Sequence, residues 1–144
     1  MNITRESLLV ADGAWGTELF KMGLDAGGCP EEWNLTRPDV ISKVARQYAE
    51  AGSDLIITNT FGANANILDR YGLLDELTNI NRIGAELSCK AAAEAEGDKE
   101  RCVFGSIGPF GRLISMGEAD EDEVEESIKA QAEALLAGGV DGIV

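Results

Sequence analysis

The chain has no histidine, only three cysteines and three prolines, and 12 basic residues against 26 acidic ones. Without histidine, a common zinc ligand and the usual general base near neutral pH are both missing. Cys29, Cys89 and Cys102 are widely separated and form no Cys-x-x-Cys pair, so neither a disulfide framework nor a local zinc site is supported. A net charge of −14 argues against nucleic acid as a partner, because phosphate binding needs clustered Lys and Arg. No apolar run approaches the length of a membrane span, and Met1–Glu6 lacks the apolar core of a signal peptide. No membrane partner is expected, and the cytoplasm is the expected compartment.

What is present is a repeated grammar. Leu8-Leu9-Val10-Ala11 reads as a short buried strand that stops at Asp12-Gly13 and enters the glycine-punctuated Ala14-Trp15-Gly16. Leu55-Ile56-Ile57 runs into Thr58-Asn59-Thr60-Phe61-Gly62, and Cys102-Val103-Phe104-Gly105 into Ser106-Ile107-Gly108-Pro109. In each case an apolar strand gives way at its C-terminal end to small polar residues and glycine. Strands that alternate with helices and carry polar groups at one end describe a site at the mouth of a parallel sheet or barrel.

The connections read as helices. Residues 17–23 form a short one, residues 25–35 a loop broken at Gly27-Gly28-Cys29-Pro30, and Thr36-Arg37-Pro38-Asp39 opens a longer helix. Val40, Ile41, Val44, Ala45 and Tyr48 then lay one apolar stripe on the sheet. A helical piece follows over 65–70, then a break at Gly72. Leu77, Ile80, Ile83, Leu87 and Ala91 space correctly for one buried face of the next helix. The last helix is predicted to turn Val124, Ile128, Ala132, Leu135 and Leu136 inward. Its start carries Glu118, Asp120, Glu121, Asp122, Glu123, Glu125 and Glu126, which reads as carboxylates at the positive end of a helix in preference to a metal site.

Val140-Asp141-Gly142-Ile143-Val144 begins a fourth strand. Aligning Asp141 with Asp54 also aligns Gly139 with Gly52 and Val144 with Ile57, so the βα unit repeats. The order β-α-β-α-β-α-β cannot close a barrel, and 144 residues fall well short of the roughly 250 of a complete one. A doubly wound open sheet is the alternative, but no G-x-G-x-x-G follows the first strand. The expected fold is α/β, parallel (βα) units forming the N-terminal half of a (βα)8 TIM barrel, over a single domain spanning 1–144.

Asp12-Gly13-Ala14-Trp15-Gly16-Thr17-Glu18, the segment from Asn34 to Ile41, the segment from Ala51 to Phe61, and Ser106-Ile107-Gly108-Pro109 together resemble the homocysteine S-methyltransferase family. The similarity runs across nearly the whole chain in the family's order and is nearest to its cobalamin-dependent branch. The resemblance implies a zinc-dependent (βα)8 barrel in which homocysteine sulfur binds the metal and is methylated. Coordination to Zn²⁺ would convert the thiol to a thiolate nucleophile. The methyl donor could be methylcobalamin carried on a separate corrinoid protein or module, betaine, or S-methylmethionine. By the same resemblance Asp12 and Gly13 hold the amino-acid end of homocysteine, Asn59 and Thr60 line the second-strand loop of the pocket, and Ser106 and Gly108 the third. The alternative for these residues is architectural: Asp12 caps a turn and Asn59 ties two loops together. The resemblance places the zinc thiolates, and a fourth-strand glutamate for the substrate amine, beyond Val144. The three cysteines present do not match them, so this stretch alone is expected to be inactive. A further reading is a non-catalytic half-barrel that pairs with a copy of itself or with a complementary half.

Overall fold

In the computed structural model, which describes residues 8–97 and 99–144, three parallel strands lie side by side in chain order. They are β1 (Leu55–Ile57), β2 (Cys102–Gly105) and β3 (Gly142–Ile143). Ile56 pairs with Val103, Ile57 with Phe104, and Phe104 in turn with Gly142. The segment before Asp12 runs beside β1, held by one parallel bridge from Ala11 to Leu55 in place of a full ladder. The sequence pattern predicts a buried strand there, yet Leu8 is 92% and Val10 54% exposed. Among the described residues this segment has a neighbour on one side only, and of its large apolar side chains Leu9 alone is partly covered.

Strand order that follows chain order turns every crossover the same way and sets the helices on one face. A doubly wound sheet would instead reverse its strand order. Among the described residues six α-helices accompany the sheet: α1 (Trp15–Lys21), α2 (Trp33–Thr36), α3 (Pro38–Glu50), α4 (Ala65–Asp69), α5 (Leu77–Glu94) and α6 (Glu121–Ala137). Helix α5 packs between α3 and α6. Ile56 and Val103 of the sheet meet Ala45, Ala49, Ala85 and Leu135 of those helices in the main core. Alanines at this contact let helix and sheet backbones approach closely, and each fully buried large aliphatic contributes about 1.5–3 kcal/mol. The alternate positions Ile57 and Phe104 point to the other face of the sheet and are only partly buried.

The stripe on α3 is as its spacing predicts: Val40, Ile41, Val44 and Ala45 are buried and Tyr48 partly so. On α5, Leu77, Ile80 and Ala91 are buried, while Ile83 and Leu87 are partly covered. Helix α6 departs from expectation. Ile128 is 41% and Leu136 57% exposed, and the buried row is Ser127, Gln131, Ala134 and Leu135. The helix is rotated because two polar residues have inward partners. The Ser127 hydroxyl accepts from the Ala65 N–H at 2.9 Å, and Gln131 Nε2 donates to the Thr60 carbonyl at 2.7 Å. The acidic run does open α6, with the Asp120 carboxylate accepting from the Glu123 N–H at 2.8 Å as its cap.

Residues 25–35 are more ordered than the predicted loop. They include a 3₁₀ turn at Pro30–Glu32 and the short helix α2. Asn34, fully buried, donates to the carbonyls of Asn59 at 2.9 Å and Ile80 at 3.0 Å. Those bonds are tertiary, and local propensity carries no trace of them.

The Asp54–Asp141 repeat has a physical content. The Val10 N–H donates to Asp54 Oδ2 at 2.9 Å while the Asp54 N–H donates to the Val10 carbonyl at 2.7 Å. The Val103 N–H donates to Asp141 Oδ2 at 2.8 Å, and the Asp141 N–H to the Val103 carbonyl at 2.8 Å. Each aspartate therefore fastens the start of its strand to its neighbour, Asp54 to the segment before Asp12 and Asp141 to β2. Replacing Asp141 by Ala strands the N–H of Val103, a residue only 3% exposed. The expected loss is about 1–3 kcal/mol, read from the urea midpoint; an unchanged midpoint would mean the fastening contributes nothing.

Candidate functional site

The C-terminal ends of β1 and β2, together with the loop after Ala11, converge on a cleft of about 660 Å³. Trp15 and Phe20 of α1 form one wall, Glu31 a second, and residues 57–61 with Ser106 the third. The lining is largely apolar with a few polar groups, the usual make-up of a small-molecule site.

Asp12 lies behind this lining, tied to two residues that form it. Its Oδ2 accepts from Trp15 Nε1 at 3.0 Å and from the Ile57 N–H at 2.9 Å. Its Oδ1 is buried and has no partner. Burial pushes the Asp12 pKa up, while the hydrogen bonds from Ile57 and Trp15 pull against that rise. An unpartnered buried carboxylate oxygen is a costly group that a donor, above all a cationic one, would satisfy.

Asn59, Thr60 and Ser106 all line the cleft, and all three are also architectural. Asn59 Nδ2 donates to the Pro30 carbonyl at 2.8 Å and to Asn34 Oδ1 at 3.1 Å, tying the β1 loop to the segment before α2. Thr60 Oγ1 donates to the Ser106 carbonyl at 2.8 Å, the Ser106 N–H donates to Thr58 Oγ1 at 2.9 Å, and the two hydroxyls are 2.6 Å apart. Because Thr60 gives its proton to Ser106, the Thr58 hydroxyl must donate to Thr60 Oγ1. The result is a closed ring of bonds that locks the two strand ends together.

Gly13 and Gly108 stand off the lining. A Cβ on Gly13 would come within 2.9 Å of the Tyr48 hydroxyl. The Gly108 N–H donates to the Phe61 carbonyl at 2.9 Å, and a Cβ there would sit 2.5 Å from that same oxygen. Gly108 thus permits a close backbone approach between the two loops.

Sequence patterning misses Glu31, Phe20 and Trp15 as parts of one site. Glu31 is a carboxylate only 6% exposed, accepting from the Gly62 N–H at 2.7 Å and from the Cys29 thiol at 3.4 Å. Its position in an irregular segment has no periodicity that could flag it. The Asp12-Gly13-Ala14-Trp15 spacing, by contrast, does carry the contact between the carboxylate and the indole.

A second cleft, of about 410 Å³, lies at the opposite ends of the strands between Cys89, Lys99, Arg101 and Asp141. Its cations are already engaged: Lys99 with Asp54 at 2.7 Å, and Arg101 with the carbonyls of Ala49, Lys99 and Glu96. Among the described residues no group of three or more Asp, Glu, Cys or His could hold a metal ion. Cys29, Cys89 and Cys102 are free thiols in different places, and burial raises the pKa of each, that of Cys29 to about 12.

The sequence profile of homocysteine S-methyltransferases matches residues 9–144. Methionine synthase from Mycobacterium tuberculosis is 33% identical over 151 residues, covering 100% of this chain and 13% of that protein. Methionine synthase from Mycobacterium leprae is 36% identical, covering 96% of this chain and 12% of the other. Among solved structures, the metallated form of the homocysteine methyltransferase MmuM from Escherichia coli superposes with a TM-score of 0.81 at 25% identity. That match covers 96% of this chain and 53% of the other. The chain therefore spans about an eighth of these methionine synthases and about half of the solved enzyme. On a profile match over nearly its whole length, the chain belongs to the homocysteine S-methyltransferase family.

Proposed function

We propose that this chain binds the amino-acid end of homocysteine and forms the N-terminal half of a barrel that methylates the sulfur. The observation that carries the reading is Asp12: a partly buried carboxylate whose buried Oδ1 has no partner, next to an apolar cleft, in a member of this family. An ammonium is the donor that suits Oδ1, because a charged hydrogen bond repays the burial of the carboxylate. Backbone N–H groups around Gly13 suit the substrate carboxylate, and the apolar wall of Trp15 and Phe20 suits its methylene chain. Asn59, Thr60 and Ser106 shape the wall and keep it rigid.

The zinc implied by the family does not fit the residues present. The described residues offer no three-ligand cluster, and the three thiols stand apart and favour their protonated form. The zinc ligands, and a fourth-strand glutamate, are proposed to come from sequence outside these 144 residues. The stretch alone is then proposed to bind without catalysing methyl transfer. A corrinoid module or a small methylated donor would approach from the open rim, in the cytoplasm; among the described residues no helix is long and apolar enough to cross a membrane.

A second reading rests on the open sheet edges, where Leu8 and Val10 at one side and Ile143 and Val144 at the other are all at least 40% exposed. A complementary half or a second copy could cover them. Sedimentation equilibrium decides for the 144-residue chain: a concentration-dependent dimer supports self-pairing, and a monomer at high concentration removes it.

Asp12→Asn separates binding from stability. The amide keeps an acceptor for Trp15 and Ile57 but removes the charge, so homocysteine affinity is expected to fall roughly 10- to 100-fold by calorimetric titration. Because burial raises the folded pKa of Asp12 above its unfolded value, its protonated form favours folding. That contribution is complete below the unfolded pKa and is lost as pH rises through the folded one. At pH 7 the Asn variant should therefore be at least as stable as the parent, with the advantage vanishing in acid. A variant that loses stability at pH 7 and keeps its affinity would overturn the role given to Asp12.

A further inference from the structure

We propose that Glu31 is a positioning residue: its carboxylate clasps the β1 loop at Gly62 and thereby fixes the cleft wall that carries Asn59 and Phe61. The ligand part of this inference rests on the homocysteine reading above; the clasp itself does not.

Glu31 is buried, and Oε1 accepts from the Gly62 N–H at 2.7 Å. A Cβ at Gly62 would lie 2.8 Å from that Oε1 and 3.2 Å from Cδ, so a side chain there would push the Glu31 carboxylate out of its present place. Its φ lies outside the left-handed region, so what glycine supplies there is space for the carboxylate and not backbone freedom. The other oxygen accepts from the Cys29 thiol at 3.4 Å, and that thiol, pushed up to about 12, stays a donor throughout the physiological range. Among the described residues no Lys or Arg pairs with Glu31. A buried carboxylate held only by neutral donors is an expensive way to accept one backbone N–H, which points to a need for its geometry.

The same turn grips the loop a second time. The carbonyl of Pro30, adjacent in sequence, accepts from Asn59 Nδ2 at 2.8 Å. Residues 29–31 thus hold the loop at Asn59 and at Gly62, bracketing Phe61, whose side chain is 59% exposed at the cleft mouth. Gly62 is also where the loop leaves the cleft, so releasing it would free that end of the wall.

The test compares Glu31→Ala, Glu31→Gln, Gly62→Ala and the double variant Glu31→Ala/Gly62→Ala in the 144-residue chain. Gln can still accept from Gly62 with its oxygen and offer an N–H to the Cys29 sulfur. Amide exchange at residue 62 is expected to speed up roughly 10- to 100-fold in Glu31→Ala and to stay near the parent rate in Glu31→Gln. Gly62→Ala should behave like Glu31→Ala, and the double variant no worse than either, since both changes break one contact. Homocysteine affinity should drop in the two Ala variants and persist in Glu31→Gln. Should Glu31→Ala fail to fold, Gly62→Ala against Glu31→Gln carries the same comparison. Unchanged exchange at residue 62, additive losses in the double variant, or an affinity that follows melting temperature in place of exchange at residue 62 would each overturn the proposal. If the parent binds no homocysteine, the functional reading above fails, while exchange and coupling still decide the clasp.

Discussion

The register of parallel strands is the constraint on which the remaining structure depends. A parallel ladder has no hairpin to set its alignment, and here the ladders are only a few residues long. Asp54 and Asp141 supply what the turns of an antiparallel sheet would: each places a carboxylate on the N–H of a valine in the adjacent segment (Val10 beside β1, Val103 in β2) and returns its own N–H to that valine's carbonyl. Asp12 repeats the device from the opposite end, accepting from Ile57 where β1 stops. With both ends of the strands aligned, their C-terminal residues emerge at one level, and a cleft can form between the loops that follow.

That rim is built to be rigid. The hydroxyl ring through Thr58, Thr60 and Ser106 closes the gap between β1 and β2, and Gln131 of α6 and Asn34 of α2 brace it from behind. These groups are buried and hydrogen-bonded to one another or to backbone, with Gln131 Oε1 the one bracing atom left without a partner among them, so they contribute order more than reactivity. Asp12 differs from them in carrying an ionisable group: one of its oxygens is left without a partner in a place where burial already penalises its charge. Stability is given up at that position, which is where a binding function is most readily located. A polar group proposed to bind and polar groups that brace thus share one rim, and sequence alone does not separate them.

Much of the frame was legible. Apolar spacing located α3 and α5 and their buried faces, and the Asp54–Asp141 alignment found a repeat whose structural content is a pair of equivalent hydrogen bonds. The acidic stretch before Val124 was readable as a helix start because cap and dipole chemistry are local. What escaped were features defined by distant partners. Ser127 and Gln131 turn α6 away from its most apolar face, Asn34 orders a segment that reads as loop, and Glu31 enters the cleft wall through a bond to Gly62. The exposed Leu8 and Val10 were misread for a related reason: an apolar run announces burial, but nothing in the run says whether a neighbour is present.

The central claim is that the cleft at the strand C-termini takes the amino-acid end of homocysteine. Mapping amide and indole shifts while the chain is titrated with L-homocysteine at neutral pH tests it most directly. The expected result is a saturable response centred on Trp15 Nε1, Asp12, Ile57 and Ser106, with Cys89 and Arg101 unmoved. Shifts centred on the second cleft, or none at saturating ligand, would contradict the account.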